Sequence, residues 1–360
     1  MSTVHLPPNG LEDVAATCLV RLGTPEDIAI SVARWLVNAD RSGHPSHGVI
    51  RLTDYARRIE RGDLVPDGRP TVAEVPARSK AVLVDGQRGY GHLAADALVR
   101  ELCDRAVVAG IAMGGIVNAS HTGRLGEWAE AATRRGAIFL MCSASLQRAN
   151  VAAYGAAEPR LGTNPLTVGV PASDGDGMIV DFATSEVSGG KLDYLVSAGE
   201  QAPEHALLDR EGRPTRDPRA WRDGGALLTF GGHKGYGLSL LVALIGGCVV
   251  GQAAPGNPRH GAWACAIDPG AFAETRAVLA AVQVQLERMR TTPPRREFDA
   301  VEVPGDFERR NRARSAAAVA VDGGTWEQIV KLGGTLGLNV AGWAVTGARH
   351  DGDPRAGLHQ

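Results

Sequence analysis

The chain is poor in the residues that build covalent or metal scaffolds. Its five cysteines, Cys18, Cys103, Cys142, Cys248 and Cys265, are odd in number and widely spaced, with no Cys-x-x-Cys pair. That excludes a zinc ribbon or dithiol motif and points to a reducing cytoplasm rather than a disulfide framework. Long apolar runs are missing too. The longest, Leu240 to Val250, contains Gly246 and Gly247 and is well short of the roughly 20 residues a membrane span needs, so it reads as a buried helix. Neither sign of charge is in excess: the formal net charge is −2, which removes the electrostatic reason for nucleic acid or an anionic membrane as partner. The start, Met1 to Pro8, lacks the basic and apolar parts of a secretory leader. No internal repeat is visible. Absent as well is the dinucleotide fingerprint Gly-x-Gly-x-x-Gly with an acid downstream. The nearest approach, Gly86-Gln87-Arg88-Gly89-Tyr90-Gly91, has the wrong glycine spacing and reads first as a strand-to-helix turn.

What remains is an ordinary globular composition, 44% hydrophobic and 22% charged over 360 residues, long enough for two or three subdomains and a buried pocket. The first sixty residues read as helical. Thr24-Pro25-Glu26-Asp27 offers a capping hydroxyl, a proline where its missing N–H costs nothing, and acids at the positive helix end. That helix is expected to reach about Asp40, followed by a turn over Ser42 to Gly48 and a second amphipathic helix carrying Leu52, Tyr55 and Ile59. From Ala81 short β-rich runs alternate with helices: strands near 81–85, 113–117, 138–142, 166–170 and 178–181, helices near 93–108 and 126–135. This predicts a mixed α/β domain. Residues 186–221 read as loops with short elements, 234–250 and 272–290 as helices. The expected division is a helical region over 1–75, a mixed α/β domain over 76–255, a C-terminal helical region over 256–345 and a frayed tail over 346–360.

Two clusters carry chemistry. Ser46-His47-Gly48-Val49-Ile50-Arg51 places a hydroxyl, an imidazole and a guanidinium at a loop and helix start, and Asn118-Ala119-Ser120-His121-Thr122-Gly123 ends a strand. They supply a near-neutral proton donor, a polar group beside a carbonyl, and a cation for a carboxylate, which is what interconverting a 2-oxo and a 2-hydroxy acid requires. Arg51 lies one helical turn from His47, on the same face. Gly231 to Gly237, with Lys234, opens a helix and could meet a phosphate or be only a helix start. Leu161 to Leu166 and Asp181 to Ser185 put small polar side chains at strand ends, where they read either as ligand contacts or as turns and caps. The run Arg309-Arg310-Asn311-Arg312-Ala313-Arg314 reads as a solvated face, with contact to an NADP phosphate as the lesser alternative. His92, His205, His233 and His260 have no such context, although His233 adjoins Lys234.

In order along the chain, these segments resemble the malate/L-lactate dehydrogenase family that lacks a Rossmann domain, with its ureidoglycolate and sulfolactate dehydrogenases, 2,3-diketogulonate reductases and Δ1-piperideine-2-carboxylate reductases. The resemblance is carried by Ser46-His47-Gly48 with Arg51 and Tyr55, Asn118 to Gly123, Leu161 to Pro171, Asp181 to Ser185, Gly190-Lys191, Asp209 to Pro218, Lys234-Gly235-Tyr236-Gly237 and Val303-Pro304-Gly305, over about residues 10 to 340. It implies an NAD(P)-binding domain with a largely antiparallel sheet, flanked by helical regions from both termini, in a homodimer. It implies His121 as acid/base, with Ser46 and His47 lining the reacting centre and Arg51 and Tyr55 binding substrate. NAD or NADP would contact Thr122, Ser145, Thr163, Asp181, Phe182, Ala183, Thr184, Ser185, Lys234 and Gly235. No metal is implied. Three positions depart from the family pattern: Pro45 in place of a frequent aspartate, Thr122 in place of an aromatic, and Asp306 in place of glutamate. Three readings stay open: a 2-hydroxy acid dehydrogenase, a reductase of a cyclic imine carboxylate, and a non-catalytic ligand-binding descendant.

Overall fold

The computed structural model describes residues 3–73, 75, 79–144, 149–251 and 260–346. The chain opens with strand β1 (Thr3–Leu6) and helices α1 (Pro8–Arg21), α2 (Glu26–Arg41) and α3 (Arg51–Glu60). In α2, Ile28, Ala29, Val32, Ala33, Leu36 and Val37 recur at helical spacing and are buried on one face. Its start differs from expectation in one detail. Pro25 is the N-cap residue and no side chain caps the helix, because the Thr24 hydroxyl is paired with that of Tyr90 at 2.8 Å.

Then follow β2 (Thr71–Ala73), β3 (Val82–Asp85), α4 (Gly91–Ala109), β4 (Ile111–Ala119), α5 (Gly126–Arg134), β5 (Ile138–Ala144), β6 (Val151–Ala152), β7 (Pro159–Leu161), β8 (Leu166–Val170) and β9 (Met178–Phe182). After these come α6 (Gly189–Ala198), β10 (Leu207–Leu208), β11 (Pro214–Thr215), β12 (Ala226–Leu227) and α7 (His233–Ala243), which continues into a π-helix over Leu244–Val249. The end of the chain supplies β13 (His260–Ile267), α8 (Thr275–Arg290), α9 (Asp306–Arg314), β14 (Val319–Asp322), α10 (Gly323–Thr335) and α11 (Ala341–Thr346). Of the expected tail, residues 347–360 lie outside the described residues.

The main sheet has seven strands in the order β2-β3-β4-β13-β5-β8-β9. Only β3 and β4, joined through α4, run parallel; the other neighbours are antiparallel. Leu98 and Val99 of α4 and Trp128 of α5 pack with Ile116, Phe139 and Met141 of the sheet. A five-stranded sheet, β11-β10-β12-β6-β7, forms a separate small core with α6 through Val151, Leu192, Leu195, Leu207 and Leu227. The third core joins the two ends of the chain: β1 pairs with β14, and Leu11, Leu19, Leu36 and Leu52 pack with Trp326 and Ile329. The result is a mixed α/β fold with a largely antiparallel sheet, flanked by helices from both termini.

Two elements differ from the sequence reading. Strand β13 falls where a helical region is expected, yet it is the middle strand of the main sheet. Its Gly261-Ala262-Trp263-Ala264-Cys265-Ala266 has few β-branched residues, so propensity does not mark it. Small residues suit a strand covered on both faces: Ala262, Ala264 and Ala266 are fully buried on one, and Cys265 is buried on the other. Helix α6 lies in a segment read as mostly loop. Ser188 caps it by accepting the Lys191 N–H, and Leu192 and Leu195 anchor it.

Candidate active site

The turn after α2 tightens into a single 3-10 turn at Pro45–His47 and leads directly into α3. Here the Ser46 hydroxyl lies 3.0 Å from His47 Nδ1, and Arg51 Nε donates to the Ser46 carbonyl at 2.6 Å. The first bond orients the imidazole. The second commits one edge of the guanidinium to the backbone and leaves its two terminal nitrogens for a ligand.

The other wall comes from the end of β4. Asn118 adopts φ of 53° and its amide donates to Asp85 Oδ2 at 3.0 Å, while the Ser120 N–H donates to the Gly89 carbonyl at 3.0 Å. A side chain on Gly91 would press on the Ser120 and His121 carbonyls at 2.5 and 2.7 Å, and one on Gly89 would collide with the Gly68 carbonyl. The Gly86 to Gly91 turn is therefore a packed shelf under the His121 segment.

These two walls meet. The His47 and His121 rings lie 5.3 Å apart and 23° from parallel, and the Tyr55 hydroxyl is 3.1 Å from His121 Nδ1. Tyr55 is only 1% exposed, so its hydroxyl serves the histidine. Behind them His92 stacks on Trp35 at 5.6 Å and meets His121 edge-on at 5.9 Å, and His260 lies 6.2 Å from His121 on the sheet side. Sequence reasoning gave His92 and His260 no role. The signal available for His92 was its place in the first turn of α4, beside the shelf.

Burial, and after it the Arg51 charge, lowers both His47 and His92 to about 3 and pulls His121 well below 6.5. The rings are neutral in the folded protein. An unfolded chain takes up protons on them below about 6.5, so the fold loses stability as pH falls from there toward about 3. His92, 2% exposed, contributes a slope of at most about 1.4 kcal/mol per pH unit in that window. We expect the drop in Tm between pH 7.5 and pH 5 to be smaller in His92→Gln than in the wild type. Equal drops measured by calorimetry would mean that His92 keeps an ordinary pKa.

A cleft of about 460 Å³ runs along Phe182, Ala183, Ser185, Glu186, Val187, Ser188 and Phe230, and Phe182 meets Phe230 edge-on at 5.6 Å. Beneath it the Thr184 N–H and hydroxyl donate to the Thr163 carbonyl at 2.9 and 3.0 Å. At the Phe230 end, α7 begins. Its Gly235 lies so close to the Phe230 carbonyl that any side chain there would collide, and Lys234 stands exposed in the first turn. Thr122 is buried, with its carbonyl accepting from Trp128 Nε1 at 2.9 Å. Ser145 lies outside the described residues.

Asp181 is placed differently from its neighbours. Its Oδ2 accepts the Gly126 N–H at 2.7 Å, at the start of α5, and the buried Arg124 faces it. Burial pushes this carboxyl up despite that cation. Arg124 also pairs with Glu130 at 2.9 Å, and Arg312 joins Glu130 at 3.0 Å and the Ser42 hydroxyl at 2.9 Å. His44 meets Glu308 at 2.9 Å. Three arginines of the basic run of α9 form ion pairs: Arg309 with Asp306, Arg310 with Glu302 at the surface, and Arg312 with the buried Glu130. Arg314, at the end of the run, is exposed. Among the described residues, no group of three or more His, Cys, Asp or Glu is placed to hold a metal ion.

The sequence profile of malate/L-lactate dehydrogenase matches residues 6–330, nearly the whole span that builds this site. The chain belongs to the malate/L-lactate dehydrogenase family. Within it, the chain is 31% identical to an L-lactate dehydrogenase of Cupriavidus necator, covering 91% of this chain and 96% of that protein. It is 34% identical to a Δ1-pyrroline-2-carboxylate/Δ1-piperideine-2-carboxylate reductase of Pseudomonas putida, over 69% of this chain and 72% of that one. The fold superposes on the sulfolactate dehydrogenase of Methanocaldococcus jannaschii with a TM-score of 0.84 at 26% identity, over 94% of this chain and 99% of that one. The malate/L-lactate dehydrogenase family thus includes oxidoreductases of hydroxy acids and of imine carboxylates.

Proposed function

We propose that this protein interconverts a small 2-oxo acid and the corresponding 2-hydroxy acid, using NAD or NADP, with His121 as the acid/base. The observation that carries the reading is the pairing of His121 Nδ1 with the Tyr55 hydroxyl beside the Arg51 guanidinium. With Nδ1 engaged, Nε2 is the nitrogen free to exchange a proton with substrate. In oxidation the neutral imidazole takes the proton of the 2-hydroxyl, and in reduction the imidazolium returns it to the carbonyl oxygen. Arg51, its Nε held by Ser46, presents its terminal nitrogens to the substrate carboxylate. Ser46 and His47 line the oxygen being transformed.

The cleft fits a dinucleotide in character. Phe182 and Phe230 give apolar faces, Ser185 and Ser188 give hydroxyls, and the N–H groups at the start of α7 with Lys234 suit a phosphate. When bound, the nicotinamide supplies or removes the hydride at the second carbon of the substrate. Thr163 and Thr184 brace the cleft from below. Asp181, turned toward Arg124 and the start of α5, acts by fixing the strand end that carries Phe182.

The 34% identity to the imine carboxylate reductase favours a second reading in which His121 protonates the nitrogen of a cyclic imine carboxylate. Nicotinamide absorbance is expected to report turnover in a panel of 2-oxo acids and cyclic imino acids offered with both cofactors. Turnover confined to the imines selects the second reading, and binding without any turnover leaves only a ligand-binding role. Homodimer formation is supported by apolar surface that the monomer leaves open: Leu241 and Leu244 at 49% and 47% exposure, and α8, of whose 16 residues only Leu286 is buried. Sedimentation at micromolar concentration is expected to give the dimer mass, and a monomer overturns this. All five cysteines are free, in keeping with a reducing cytoplasm. Among the described residues, no helix is long and apolar enough to cross a membrane.

A further inference from the structure

One titratable group beside the site takes no part in the proton transfer described above. Asp40 sits in the last turn of α2, and its Oδ2 accepts the Val49 N–H at 2.8 Å. Gly48 lies flat against the same carboxyl group, so close that a Cβ there would collide with Oδ1. Among the described residues Asp40 makes no ion pair. The charged group facing it is another acid, Asp322, which comes from the end of β14 and caps α10 by accepting the Thr325 N–H at 2.9 Å. Burial pushes Asp40 up to about 8, the Val49 N–H pulling the other way and Asp322 adding to the rise. Asp40 is half-buried, and a carboxyl group drawn even partly out of water with no cation beside it carries a desolvation cost.

What the carboxyl group holds is the centre of the loop. Ser46 and His47 immediately precede the Gly48-Val49 step, and Arg51 follows it with its own N–H donating to the Gly48 carbonyl at 3.0 Å. Val49, fully buried, points into the core shared by both chain ends. The step is thus pinned from both sides, by Asp40 through the Val49 N–H and by the core through the Val49 side chain. The 3-10 turn bearing Ser46 and His47 hangs on one side of that pin and α3 on the other. Gly48 is required because only a hydrogen can lie against the carboxyl oxygen.

We propose that Asp40 is the positioning residue of the reacting centre, seating the Gly48-Val49 step so that Ser46, His47 and Arg51 converge on the substrate. This rests on the carboxylate-acting site proposed above. Asp40 touches neither substrate nor cofactor. Its effect therefore falls on turnover and substrate affinity and leaves the cleft at Phe182 and Phe230 unaltered.

The test compares wild-type protein with Asp40→Ala, Asp40→Asn and Gly48→Ala, each purified as the full chain. Asp40→Ala is expected to lower kcat/KM for the substrate found in the panel by about 10- to 100-fold, the scale of losing a hydrogen bond to a carboxyl acceptor. NADH or NADPH affinity by fluorescence titration stays within about twofold, the range left to a residue with no contact to the ligand. Asp40→Asn keeps an oxygen facing the Val49 N–H and restores most of the turnover. Gly48→Ala, which displaces the loop from the opposite side, reproduces the Asp40→Ala pattern. Near wild-type kcat/KM in Asp40→Ala, or equal loss of substrate and cofactor affinity, overturns the proposal. An Asn variant as impaired as the Ala variant does so too, because the acceptor would then not be what matters.

A second measurement is independent of turnover. Imidazole ¹⁵N spectra of histidine-labelled protein are expected to show the His47 resonances displaced in Asp40→Ala and returned toward wild type in Asp40→Asn, with His5 unmoved. Unshifted His47 resonances reject Asp40 as the positioning residue even if no panel substrate turns over. Failure of the wild type on every carboxylate, with His47 displaced as described, rejects the assigned reaction and leaves the positioning role standing.

Discussion

His121→Ala is expected to bind NADH or NADPH as the wild type does while losing about 10²- to 10⁴-fold in kcat, the usual worth of a positioned acid/base. The cleft residues Phe182, Ser185 and Phe230 belong to the β9 end and the α7 start, whereas His121 belongs to the β4 end, so cofactor affinity has no reason to follow the mutation. The pH profile gives a further check. Because burial and Arg51 pull His121 well below 6.5, the neutral base needed for oxidation persists into acid. The kcat/KM for hydroxy acid oxidation should accordingly stay flat from pH 8 to below pH 6.5, with no break near the ordinary histidine value. An alanine variant within a few fold of wild type would remove His121 from the chemistry.

Arg51 is expected to give the second large effect. A lysine keeps the charge but loses the Nε contact to the Ser46 carbonyl and the paired terminal nitrogens. Arg51→Lys should raise KM for the carboxylate substrate about 10- to 100-fold and leave cofactor affinity near wild type. Arg51→Met separates geometry from charge. The guanidinium lowers His47, His92 and His121 alike, so removing it should move the His121 pKa upward, while the lysine variant leaves it low. The same coupling implies that a bound substrate carboxylate, by pairing with Arg51, makes His121 easier to protonate in the reductive direction. Kinetics and imidazole titration of both variants check this. A parallel loss of cofactor and substrate affinity would place Arg51 in the scaffold.

Both histidine clusters were legible in the sequence because a hydroxyl and an imidazole, joined in the first cluster by a guanidinium, are so close in the chain that they must also be close in space. Their convergence was not legible. It depends on the Gly86 to Gly91 shelf and on Tyr55, for which the resemblance implies a contact to substrate and whose hydroxyl meets His121 in the folded chain. The alternation of strands and helices exposed the main sheet, since strands such as Leu166–Val170 are rich in β-branched residues. Strand β13 escaped because alanines and glycine fill a space with little room for side chains, and chain order hides that it lies between β4 and β5. Asp181 reads as a ligand contact from its place at a strand end, and its packing against the start of α5 was not legible. A strand end presents its side chains to two faces, and the α5 start occupies the inner one.

The buried charges that join Arg124, Glu130 and Arg312, together with the His44 and Glu308 pair, bear on the order in which the protein can be made. His44 is 264 residues from Glu308, Ser42 is 270 from Arg312, and the Arg41 carbonyl is 274 from the Ser315 hydroxyl that donates to it. The loop that carries the reacting groups is therefore among the first parts to leave the ribosome, yet the contacts behind it close only when α9 emerges. Loop closures of such span are slow to form. During synthesis the chain must hold Glu130 and Arg124 without their last partner, and a product released early would contain every reacting side chain and no fixed place for them.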